Sequence, residues 1–261
     1  MQLIELIDIT NNLFYNDSPS YKVIASKQNE LLTILKPTMD IKKINYKTIE
    51  KIIQVYKAKN NSPATINSKL AYLSKILNYA YKVNLIQNKP YTPTLKEKQP
   101  KEKYLTTNEK IQMLLWCKHN KQKELAKIIL IGLYTGLRIN NILSLDNSMY
   151  IDNQLYIYDK KTNKNFILPV SNKIKYIIAN LQGFTMNYQQ CYYIFSLMKK
   201  ELCLDKVITI HTLRHTFGSE LVHNNVTLPV IQTLMNHKQI TTTMKYLHVN
   251  TEQLNTAINM L

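Results

Sequence analysis

A proline-studded stretch does most to limit what this chain can become. Pro90, Pro93 and Pro100 fall within residues 88–103 among alternating charges, and each removes a backbone donor and crowds the preceding helical turn. No helix runs through such a segment. The sequence therefore divides into a first domain over residues 1–88, a linker over residues 89–103 and a second domain over residues 104–261, and 261 residues suffice for two modest cores. Within the linker, Lys96, Lys98, Lys101 and Lys103 are half offset by Glu97 and Glu102, a pattern that suits a solvated connector as well as contacts to phosphates.

The first domain reads as helical. Ile49, Ile52, Ile53 and Tyr56 recur at helical spacing, as do Ile66, Leu70, Leu73, Ile76, Leu77 and Ala80. Ser62 can cap the second of these helices, and Pro63 suits its first position, where no amide is required. Thr106 with Glu109 forms a capping box ahead of the apolar run at residues 111–116, which opens the second domain, and the helical pattern continues to Leu137. The period changes over residues 154–170, where Leu155 to Tyr158 and Phe166 to Leu168 flank a polar turn in the manner of a hairpin. Helical patterns resume from Ser171, broken by Gly183 and Pro229, and Leu254, Ala257, Ile258 and Leu261 give the tail one apolar face. The expected fold is mainly α, with a small β-sheet or hairpin in the second domain.

Charge narrows the choice of partner. Lys and Arg number 34 against 17 Asp and Glu, a net charge of +17, which suggests a polyanion such as nucleic acid, although a general bias toward Lys, Asn and Ile could also produce it. Cys117, Cys191 and Cys203 are odd in number and widely spaced, which argues for a reducing compartment and buried thiols rather than a disulfide framework. The first ten residues mix apolar positions with Glu5 and Asp8 and lack a basic start, so no signal peptide is readable. Nor is there an apolar run of about 18 residues, and no membrane span is expected. The expected location is the cytoplasm, in association with the nucleoid.

The chemistry-bearing residues cluster around scarce glycines. Only four glycines occur, and Gly132, Gly136 and Gly218 each lie within four residues of a motif, which implies close packing or close approach of a ligand. The motifs are Thr135-Gly136-Leu137-Arg138, His211-Thr212-Leu213-Arg214-His215, and His237 followed nine residues later by Tyr246. Two arginines suit a phosphodiester, because the planar guanidinium fork binds nonbridging oxygens and offsets charge in the transition state, which lysine does less well. His211 and His215 could share a helix face as zinc ligands, but no glutamate follows the first histidine and Arg214 opposes a cation. No metal and no cofactor are expected.

Together with the lysine-bearing hairpin, these motifs resemble, in order and spacing, the tyrosine recombinase (phage integrase) family, over about residues 105–250. The resemblance implies a helical, SAM-like core-binding domain over residues 1–88 and a catalytic domain over residues 104–261, closing as a clamp around duplex DNA. It implies a site-specific recombinase that cuts and rejoins strands through a 3′-phosphotyrosyl intermediate. Tyr246 is then the nucleophile, Arg138 and Arg214 hold the phosphate, His211 lies beside the tyrosine and His237 is a second phosphate donor. A hairpin lysine is the general acid; of Lys160, Lys161 and Lys164, counting back from Pro169 selects Lys161. His215 is expected to be structural. The implied partners are double-stranded DNA, further copies in a tetramer on synapsed sites, and accessory DNA-bending proteins. One departure stands out: Asn141 occupies the position, three residues after the first arginine, where the family usually has glutamate. An asparagine hydrogen-bonds but brings no charge to orient Arg138. The rival functions are type IB topoisomerase-like relaxation and noncatalytic DNA binding on the same fold.

Overall fold

The computed structural model describes residues 1–16, 21–97, 103–160, 163–237, 239–244 and 246, and it divides into two compact units, Met1–Pro100 and Lys101–Leu261. The amphipathic tail expected from Leu254, Ala257, Ile258 and Leu261 lies outside the described residues.

Among its described residues the first unit is built of helices: α1 (Leu3–Phe14), α2 (Tyr21–Leu35), a short 3-10 turn (Ile41–Lys43), α3 (Tyr46–Ala58) and α4 (Pro63–Lys82). The Asn45 side chain accepts from the Thr48 amide at 3.1 Å to start α3, and Ser62 accepts from the Thr65 amide at 3.2 Å to start α4, with Pro63 in its first turn. Each cap satisfies an amide that has no partner within the helix. The stripes Ile49, Ile52, Ile53, Tyr56 and Ile66, Leu70, Leu73, Ile76, Leu77, Ala80 are buried together with Leu3, Leu6 and Ile7 of α1 and Leu31 and Leu35 of α2. Each such aliphatic side chain contributes about 1.5–3 kcal/mol. The chain after α4 folds back on this unit, because the Asn67 side chain bonds both backbone groups of Leu95, at 2.8 and 2.9 Å. The first compact unit thus extends past residue 88.

The second unit contains α5 (Thr107–His119), α6 (Lys123–Thr135), α7 (Ile139–Leu143), strands β1 (Tyr150–Ile151), β2 (Gln154–Asp159) and β3 (Lys164–Pro169), then α8 (Lys175–Ala179), α9 (Tyr188–Glu201), α10 (Thr212–His223), α11 (Leu228–Leu234) and α12 (Thr241–Met244). The capping box at Thr106 and Glu109 forms, with both reciprocal bonds present. Leu125, Ile128, Ile129, Ile131 and Leu133 bury α6 almost all round, which makes it the core of the unit. Strands β1, β2 and β3 form an antiparallel sheet in that order, and β2 pairs with β3 from Gln154↔Pro169 to Asp159↔Lys164. Along β2, Leu155, Ile157 and Asp159 are buried while Gln154, Tyr156 and Tyr158 are exposed. A carboxylate therefore occupies an inward, core-facing position.

Two local expectations are revised. The helical pattern does not continue to Leu137, because α6 ends at Thr135 where Gly136 turns left-handed at φ +63°. Nor are all three thiols buried: Cys117 and Cys191 are, and burial pushes them up to about 12 and about 11, but Cys203 is exposed in a turn at φ +50°. Among the described residues no helix is long and apolar enough to cross a membrane.

The Gly136 turn permits a direct test. An added Cβ would be strained by the positive φ and would overlap the Phe217 ring. Gly136→Ala is therefore expected to lower unfolding stability by about 1–3 kcal/mol in denaturant titrations, whereas an unchanged midpoint would show that the turn tolerates a side chain.

Candidate active site

The end of α6 positions the first arginine. Because Gly136 reverses the chain, Arg138 becomes the N-cap residue of α7, and its Nη1 donates to Asp159 Oδ2 at 2.8 Å. Arg214 enters from α10 and is 4% exposed. Its Nη1 donates to the Gly136 carbonyl at 2.6 Å, and its Nη2 to the Met235 carbonyl at the end of α11. Burial, and then the charge of Arg138, pull Arg214 down to about 10, while Tyr246 and Asp159 act in the opposite sense. The group is still a cation at neutral pH.

The other half of the site follows α11. His237 is 9% exposed, and its Nδ1 lies 2.8 Å from Thr243 Oγ1 at α12. Burial first, and then the charges of Arg214, Arg138, His211 and His215, push it down to about 4, so its imidazole is neutral at pH 7. Tyr246 stacks on that ring with centroids 6.4 Å apart and planes 7° apart. Its own ring lies over Gly218 of α10, where a Cβ would come within 2.8 Å of Cζ. Glycine is required there by close approach rather than by backbone conformation. Ile231 and Met235 are buried in the same cluster.

The tyrosine hydroxyl meets a histidine. Tyr246 Oη is 3.2 Å from Nδ1 of His215, while the exposed His211 lies edge-on to His215 at 4.9 Å between centroids. His215, expected to be structural, thus lies at hydrogen-bond distance from the tyrosine hydroxyl. The sequence carried a signal for this, since residues 215 and 218 are three apart on α10 and so share the face that receives Tyr246.

Arg138, Arg214, His211, His237 and Tyr246 all come together here; Lys161, the expected general acid, lies outside the described residues. Its neighbour Lys160 lines a cavity of about 600 Å³ with Arg138, Asn141, Asp159, Tyr188 and His211. The residue that sequence reasoning missed altogether is Asp159. Its signal was an acid in phase with Leu155 and Ile157, on the strand face that packs inward.

The low-lying His237 has a consequence for stability. In the unfolded chain a histidine titrates near 6.5, so between about 6.5 and about 4 the unfolded state binds a proton that the folded state refuses. Its contribution is present above pH 6.5 and is lost as the pH falls toward 4. Thermal melts of the native protein are expected to drop more steeply from pH 7 to pH 5 than those of His237→Gln; parallel curves would mean that His237 is not held neutral.

Comparison with known proteins agrees with this geometry. Residues 103–253 match the phage integrase family and residues 3–109 match the phage integrase SAM-like domain. The integrase of Haemophilus phage HP1 is 26% identical over 205 residues, 77% of this chain and 61% of that protein. The tyrosine recombinase XerD of Oceanobacillus iheyensis is 24% identical over 275 residues, covering 94% of this chain and 92% of that one. The chain spans about three fifths of the length of the phage HP1 and phage 186 integrases. Among solved structures, the Tn1549 transposon integrase in complex with a circular intermediate DNA superposes with a TM-score of 0.83 at 19% identity, covering 100% of both chains. A lambda integrase tetramer bound to a Holliday junction superposes at 0.80 with 17% identity, covering 94% of this chain and 77% of that one. These two structures share its fold. Since the family match takes in more than half of its residues, the chain belongs to the phage integrase family, the tyrosine recombinases.

Proposed function

We propose that the protein is a site-specific DNA recombinase with Tyr246 as its nucleophile. The observation that carries this is the convergence of one tyrosine hydroxyl, two guanidinium groups and a histidine pair around a single cluster. Tyr246 Oη attacks phosphorus, the bond to the 5′ oxygen breaks, and the strand remains attached through a 3′-phosphotyrosyl link whose bond energy serves for rejoining. A phenol titrates near 10, so its proton needs an acceptor, and His215 Nδ1 lies at hydrogen-bond distance. His211, exposed beside it, and neutral His237 donate to the phosphate, whose charge Arg138 and Arg214 offset. Lys161 protonates the departing 5′ oxygen. Attack by the 5′ hydroxyl of a second strand runs the same steps backward and frees the tyrosine.

The same reading assigns residues 1–88 to core binding and residues 104–261 to catalysis on duplex DNA, joined by the 89–103 linker. The charge of +17 suits that partner. Copies of the chain assemble as a tetramer on synapsed sites, with accessory DNA-bending proteins where the sites require them, and the protein works at the nucleoid.

Nicked duplexes cut from the DNA flanking the coding sequence provide the test. The native protein is expected to become covalently attached, with the adduct mapping to Tyr246, and Tyr246→Phe to fold and bind DNA while forming none. An adduct on Tyr192 or Tyr193 would overturn the assignment, and relaxation of supercoils without strand exchange would favour a topoisomerase.

Lys161 is tested separately. A thiol titrates near 8.5, far below an alcohol, so a 5′-bridging sulfur leaves without a proton donor. Lys161→Ala is expected to fail on ordinary DNA yet cleave the sulfur-bridged strand at close to the native rate, whereas Arg214→Ala stays inactive on both. Rescue at Lys160→Ala or Lys164→Ala in place of Lys161→Ala would move the role along the hairpin.

A further inference from the structure

We infer that Asp159 is a positioning residue for strand transfer, the carboxylate that fixes the Arg138 guanidinium in the phosphate site. The inference rests on the recombinase reading above.

Three observations carry it. Asp159 is 1% exposed, yet it is the inward residue at the end of β2, following Leu155 and Ile157. A carboxylate so placed costs several kcal/mol unless it is paired. Two of its partners come from other parts of the unit: Arg138 Nη1 at 2.8 Å, at the start of α7, and Asn236 Nδ2 at 3.3 Å, one residue before His237. Finally, its own carbonyl accepts from the Asn163 amide at 2.8 Å, close to the start of β3. Asp159 thus joins the three segments that carry the first arginine, the hairpin lysines and the second histidine.

The charge has a purpose as well as the geometry. Arg138 is close enough to Arg214 to lower its proton affinity, and Asp159 is close enough to raise it. Two guanidinium groups converging on one phosphate repel each other before the phosphate arrives. A carboxylate paired with Arg138 offsets that repulsion and takes one of its five N–H donors, which fixes the plane in which the others reach a phosphate oxygen. Asn141, buried beside the same cavity, brings no charge. The anionic partner that Arg138 lacks within its own helix is supplied across the unit, by the hairpin.

A mutant cycle separates positioning from mere support of the fold. On the duplex to which the native protein becomes covalently attached, Asp159→Asn is expected to keep the circular dichroism spectrum and noncovalent affinity while slowing adduct formation about tenfold or more. In an Arg138→Ala background the same change is expected to cost less than about twofold, because no guanidinium is left to position. Should Asp159→Asn not fold, Asp159→Glu keeps the charge but shifts it by a methylene, and the loss should again appear only when Arg138 is present. An equal loss in both backgrounds, or no loss with Arg138 in place, overturns the inference. A native protein that attaches to no DNA overturns the recombinase reading itself, and this inference with it.

Discussion

The site depends on how Arg214 is held. A guanidinium that is almost fully buried must find acceptors for its donors or lose more in desolvation than any contact returns. Here the acceptors are two backbone carbonyls, Gly136 at the end of α6 and Met235 at the end of α11. Both are helix-terminal carbonyls, which lack a partner within their own helix and carry the negative end of its dipole. One cation therefore completes two helix ends while tying α6, α10 and α11 together, and the chain leaving each of those ends delivers a functional group. After Gly136 comes Arg138; after Met235 come Asn236 and His237.

The electrostatics follow from that packing. His237 is neutral at pH 7 because burial and two neighbouring guanidinium groups disfavour its protonation. Among the described residues, Arg138 and Arg214 are partly offset by Asp159, while Lys160 adds positive charge at the edge of the same cavity. A neutral imidazole retains one N–H donor without adding to repulsion between the cations. The large positive charge of the whole chain acts differently, through long-range and salt-screened attraction to DNA, and says little about this balance.

Local rules were legible in the sequence wherever a residue acts on its own backbone or along its own helix face. The caps at Ser62 and Thr106, the stripes of α3 and α4 and the β2–β3 hairpin all form as their spacing requires. Strand β1, two residues long, carries no periodicity to detect, and α6 stopped short of Leu137 because a glycine at φ +63° overrides an apolar pattern. The arginines, His237 and Tyr246 were found as motif positions, and the fold gathers them. The contact of Tyr246 with His215 was not readable in that way, since it depends on how far the tyrosine ring settles over Gly218.

The substitution at Asn141 shows why position-by-position reading runs out where it does. A motif records which residue type stands at which distance along the chain, whereas an arginine responds only to charge and distance in space. Removing an acid from the first turn of α7 does not remove the requirement that a cation beside another cation be partly neutralised. That requirement can be met by any carboxylate whose oxygens reach the guanidinium, and β2 ends where Asp159 does so at 2.8 Å. From sequence alone the chain shows a loss at residue 141 and an odd acid at residue 159, some distance apart and on different elements. In the folded unit the two border the same cavity, and the apparent defect becomes a carboxylate supplied from another strand.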